Sequence, residues 1–141
     1  MKKMFLLVAF ICIILCLTGC RARLPYDLHG TASVEIHTYG NESAEPVAEF
    51  IVKGEDAERI VEMFSALKLK EMKYTEPSIR GYEFWFMDEN GSNIAKIELP
   101  YGPSPWVVVG RTAYQDINGG VDVVYLTQLV DIASTAGPMD R

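Results

Sequence analysis

The sequence predicts an α+β domain: an antiparallel sheet of about five to six strands with two helices packed on one face. Three patterns carry this. Apolar and polar residues alternate with period two in paired segments at 31–52 and 82–99. Apolar residues recur at helical spacing over 54–67. A second helical stripe closes the chain near residue 133. Strand, strand, helix, four strands, helix is the resulting order, and successive hairpins make an antiparallel sheet.

Residues 31–39 place Val34, Ile36 and Thr38 on one strand face and Glu35, His37 and Tyr39 on the other. Gly40-Asn41-Glu42-Ser43 is turn-like. Its Asn41-Glu42-Ser43 matches a glycosylation sequon but reads as a plain polar turn. Residues 47–52 form a second strand with Ala48, Phe50 and Val52 in phase, pairing with the first as a hairpin.

Over 54–67, Ala57, Ile60, Val61, Phe64 and Leu67 form one apolar stripe, the core face of a helix. Glu55 and Asp56 suit the first turn, where the macrodipole favours anions. Glu55 and Arg59 are spaced for an i,i+4 pair. Residues 68–74 end the helix and allow a short strand. Lys68, Lys70 and Lys73, with Arg80, fit a solvated edge strand protected by lysines.

Residues 81–99 read as a hairpin around Asn90-Gly91, a strong type I′ turn signal. That loop pairs Phe86 with Ala95, Phe84 with Ile97 and Tyr82 with Leu99 on one face. It pairs Met87 with Ile94 and Trp85 with Lys96 on the other, the latter suited to a cation–π contact. A Gly-bulge loop pairing Asp88 with Ser92 would set Phe84 opposite Lys96, and burial of one face rejects that slip. The segment at 100–105 is a rigid proline loop, and 106–109 a buried strand. Residues 111–120 are part strand, ending in Asn118-Gly119-Gly120. Asp122 then caps a helix with Leu126, Leu129, Val130 and Ala133 as its stripe.

The chain has 141 residues and a formal net charge of −6. Its first residues set Lys2 and Lys3 before an uncharged apolar run ending in Leu17-Thr18-Gly19-Cys20. The run is shorter than the ~20 residues a spanning helix needs, and no Ala-x-Ala-like site lies near its end. This stretch resembles a bacterial lipoprotein signal with its lipobox. The resemblance implies cleavage before Cys20, acylation of Cys20 with palmitate-like chains, and anchoring on the outer side of the cell membrane. Two or three chains suffice for stable anchoring. Arg21 after Cys20 is not the aspartate that retains some Gram-negative lipoproteins at the inner membrane.

On that reading residues 1–19 are the signal, 20–30 the lipidated cysteine and a tether, 31–136 the domain and 137–141 a tail. The mature part carries 11 basic against 19 acidic side chains. That balance argues against a nucleic-acid partner. Cys12 and Cys16 leave with the signal, so the domain holds no disulfide or thiolate metal site. The mature region resembles small Gram-positive lipoproteins without established activity. Its hairpin and preceding helix are similar to PepSY-type domains, a likeness that implies regulation of an extracytoplasmic protease.

Nothing downstream carries a nucleophile elbow, a His-Glu-x-x-His helix, a Walker loop or a dinucleotide fingerprint. Asp88-Glu89-Asn90-Gly91 lacks the spacing and terminal Glu of a calcium loop. Glu35, His37 and Tyr39 form a weak metal or acid–base trio, set against an exposed polar face. The expectation is therefore no catalytic residue, no metal and no cofactor. Trp85, Met87 and Ile94, on the face opposite the core, and Tyr101 and Trp106, around the proline loop, are the expected partner-binding residues. The leading expectation is a non-enzymatic, lipid-anchored binding or accessory module for an envelope protein or polymer. The alternatives are a regulator of an extracytoplasmic enzyme and an enzyme using the Glu35–His37–Tyr39 face.

Overall fold

The computed structural model describes residues 24–40, 45–73, 81–100 and 106–135. The signal segment with Cys20, the sequon at 41–43, Arg80, Tyr101 in the proline loop and the tail at 137–141 lie outside the described residues. Within them, β1 (Ser33–Tyr39) and β2 (Pro46–Lys53) precede helix α1 (Glu55–Ser65). Then follow β3 (Leu69–Glu71), β4 (Tyr82–Met87), β5 (Asn93–Leu99), β6 (Trp106–Val109), β7 (Thr112–Asp116) and helix α2 (Val123–Thr135). The strands form one sheet in the order β2-β1-β4-β5-β6-β7-β3, antiparallel throughout. The α+β class holds, with seven strands where five to six were expected. The extra one is β3, a three-residue edge strand pairing with β7 and carrying exposed Lys70.

The first hairpin has the predicted phase: Val34 faces Val52, Ile36 faces Phe50 and Thr38 faces Ala48. On α1, Ala57, Ile60 and Phe64 are buried. Phe64 sits 4.9 Å from the Phe84 ring and 5.7 Å, edge-on, from Phe86. All three rings are fully buried, and each such burial stabilises by roughly 2–3 kcal/mol. From α2, Leu126 enters the same core. Asp122 caps α2 through its carboxylate, which accepts from the Tyr125 N–H at 2.9 Å. Arg59 turns toward α2, 3.6 Å from Asp122 and 3.8 Å from the Tyr125 ring centroid. The expected Glu55–Arg59 pair is therefore replaced by a contact between the helices.

Leu28, in the segment read as a tether, is only 2% exposed and belongs to the core. Chain that includes it packs as part of the domain, and Ala32 N–H donates to the Met87 carbonyl at 2.8 Å. Among the described residues no helix is long and apolar enough to cross a membrane.

The second hairpin corrects the sequence reading at its tip. Tyr82–Leu99, Phe84–Ile97, Phe86–Ala95 and Trp85–Lys96 pair as expected, but Met87 faces Asn93, not Ile94. The Asp88 N–H donates to the Ser92 carbonyl at 2.9 Å, so the loop is the rejected Gly-bulge form. Type I′ needs positive φ at both central residues, whereas here only Gly91 has it, at 76°. A bulge at Ile94 absorbs the extra residue and restores the register.

Candidate functional site

The sheet face opposite the helices collects the ionisable side chains. Antiparallel pairing sets Glu49 of β2, His37 of β1, Glu83 of β4 and Glu98 of β5 on one rung. The neighbouring rung holds Ile51, Glu35, Trp85 and Lys96 on the same strands. Pairing of β1 with β4, far apart in sequence, brings His37 to Glu83.

Glu83 is the centre of this face, only 2% exposed. The Tyr39 hydroxyl donates to its Oε2 at 2.9 Å. Lys96 Nζ lies 2.8 Å from Glu83 Oε1 and 3.0 Å from Glu98 Oε1. Burial alone would raise the Glu83 carboxyl, but hydrogen bonds from Lys96 and Tyr39 and the Lys96 charge outweigh it, and its pKa falls below the ordinary value. The Trp85 indole N–H adds to that pull while standing outside strict hydrogen-bond geometry. Lys96 shows the mirror effect: burial would lower it, and hydrogen bonds to Glu83 and Glu98 raise it above its ordinary value. Lys96 also sits 5.0 Å over the Trp85 ring, the predicted cation–π contact.

His37 stands between carboxylates. Its Nε2 is 2.9 Å from Glu35 Oε1, and its Nδ1 is 3.9 Å from Glu83 Oε2. The ring lies against Trp85, centroids 5.9 Å apart. Ligand atoms of Glu35, His37 and Glu49 all fall within 4.8 Å of one another. A base facing carboxylates on both nitrogens differs from one set against a hydroxyl nucleophile.

The expected trio is thus divided. Glu35 and His37 meet, while the Tyr39 hydroxyl serves Glu83. Glu49, Glu83 and Glu98 were not foreseen, because cross-strand neighbours depend on register and strand order. Of the expected aromatic face, Trp85 and Met87 are half-buried on this side, and the β5–β6 register places Trp106 there too. Ile94 packs against the core, turned inward by the bulge. The well-exposed apolar residues of the edge strand are Val47, at 65%, and Ile51, at 52%, on either side of Glu49 in sequence.

Comparison with protein families, with characterised proteins and with solved structures finds no match.

Proposed function

We propose that the chain is a lipid-anchored lipoprotein acting outside the cytoplasm as a non-enzymatic binding module, with the helix-free sheet face as its contact surface. Lys2-Lys3, the apolar run and Leu17-Thr18-Gly19-Cys20 support the address. The observation that carries the binding role is the β2 edge: Val47 and Ile51 exposed on either side of Glu49, with Glu35 opposite Ile51. Apolar side chains exposed on an edge strand are an aggregation hazard unless something covers them. An envelope protein or polymer with apolar and cationic groups is the complementary surface.

Two measurements test this. Cells given an alkyne-tagged palmitate should label the chain, and Cys20→Ser should abolish labelling; label retained in that variant removes the anchor. A photocrosslinking residue in place of Ile51 should capture one discrete partner in living cells. Val47→Ser in that background should reduce the yield at least fivefold. An equal yield, or the same adduct from a crosslinker at exposed Glu55 on α1, overturns the assigned surface.

A further inference from the structure

We propose that Glu35, His37 and Glu49 form a binding site for a divalent transition-metal ion of the Zn(II) class. This is independent of the lipid-anchored reading. Glu35 and His37 are two apart on β1, so they share a face, and Glu49 stands directly across from His37 on β2.

The ligand set is close to closing. Tetrahedral ligands at 2.0–2.2 Å from a metal are roughly 3.4 Å apart. His37 Nε2 and Glu35 Oε1 are already 2.9 Å apart, and no pair in the trio exceeds 4.8 Å. Closure requires no more than roughly 1.4 Å of movement in any pair, and Glu49 is an exposed side chain on an edge strand, free to make it.

The support behind the ligands has the form that metal-bound histidines use. A ligating imidazole ordinarily turns its other N–H to a carboxylate, which fixes tautomer and ring orientation. Here His37 Nδ1 faces Glu83, itself buried and held by Lys96 and Tyr39. Trp85 lies against the ring. His37 therefore presents Nε2 beside Glu35, with Glu49 directly across on β2.

Charge points the same way. Glu83 and Glu98 face each other across β4 and β5, and Lys96 bridges them. Among the described residues Glu35 and Glu49 have no lysine or arginine partner, only His37 between them. Two carboxylates and an imidazole complement a divalent cation. The nitrogen ligand favours zinc and its neighbours over calcium and magnesium, which take oxygen sets. Three protein ligands at an exposed edge leave a fourth position open to solvent.

The probe is Zn(II) itself, titrated calorimetrically into the detergent-solubilised full chain carrying Cys12→Ser, Cys16→Ser and Cys20→Ser, so that no thiol competes. One saturable site is expected. His37→Ala and Glu49→Gln should each weaken it at least tenfold, and Glu83→Gln, a positioning change, by roughly tenfold. Glu49→Gln alters an exposed side chain and should leave the metal-free unfolding midpoint unchanged, so weaker binding in it is not misfolding. His29→Ala, at the other histidine, should bind as the parent does. Mg(II) and Ca(II) should give no saturable heat. Zn(II) binding that survives both His37→Ala and Glu49→Gln, that is lost in His29→Ala, or that is absent from the parent overturns the site.

Discussion

Lys96 Nζ lies 2.8 Å from Glu83 Oε1 and draws this buried carboxylate and its cross-strand neighbour Glu98 to one cation. Like charges directly opposite in an antiparallel pair repel. Lys96, two residue-pairs along on the same face, reverses that. Replacing it by methionine keeps the apolar stem over Trp85 and removes the charge. Lys96→Met should destabilise the domain by about 2–3 kcal/mol, since it strands a buried carboxylate. Glu83→Gln in the Lys96→Met background should recover part of the loss. Urea unfolding of the four proteins in a double-mutant cycle measures this, and a coupling below about 0.5 kcal/mol rejects the bridge as a stabilising contact.

Acid should weaken the fold through the same residue. The folded Glu83 carboxyl has its pKa below the ordinary 4.5. A depressed folded value contributes stability that is fully present above the unfolded value and is lost as pH falls through the folded one. The parent should therefore lose stability below pH 4.5. Glu83→Gln should start less stable at neutral pH and lose less on acidification. Unfolding midpoints measured from neutral pH to pH 3 (about the range in which a carboxylate titrates) decide it, and parallel curves for parent and variant rule out Glu83 as the source.

Much of the fold is legible in the sequence for a plain reason. Val34, Ile36, Ala57, Ile60, Phe64, Phe84 and Ile97 are buried positions whose spacing is set within one element, by a period of 2.0 or 3.6. The face opposite is less legible. His37 meets Glu49 through a hairpin register and Glu83 through pairing of β1 with β4, and no local period encodes that second neighbour. The Tyr39 hydroxyl meets Glu83 of β4, and no local period encodes that neighbour either. β3 was hard to see because three residues are too few to show alternation, and Lys70 with the lysines flanking the strand was the only signal.

Alkali should act at the contact between the helices. The Tyr125 hydroxyl donates to Asp56 at 2.8 Å. Burial first, then that hydrogen bond and the Asp56 charge, push its pKa up from 10.0 to about 12. The folded state thus holds the proton where the unfolded chain releases it. Stability is intact below pH 10.0 and declines as pH rises toward about 12. Tyr125→Phe should make that decline shallower. The slope that remains includes Lys96, whose raised pKa contributes stability that is lost as pH rises through its folded value. Denaturant midpoints between pH 9 and 12 (roughly the window around tyrosine ionisation) test it, and an unchanged slope in Tyr125→Phe would falsify the assignment.

The hairpin tip offers a test that separates two turn types by one substitution each. In a type I′ turn both Asn90 and Gly91 need positive φ, and alanine at either is strained. In the loop found here only Gly91 has positive φ. Asp88 holds the rest: its Oδ1 accepts from the Asn90 and Ser92 N–H groups at 2.8 Å each, and its carbonyl accepts from Gly91 N–H at 3.0 Å. The Asn90 side chain is exposed. Asn90→Ala should therefore be neutral to within about 0.5 kcal/mol, while Gly91→Ala should cost about 1 kcal/mol. Asp88→Ala should cost about 1–2 kcal/mol through the two lost hydrogen bonds. If Asn90→Ala destabilises as much as Gly91→Ala, the turn is type I′ and Met87 pairs with Ile94 after all. The Ile94 bulge would then vanish, returning Ile94 to the face that carries Trp85 and His37.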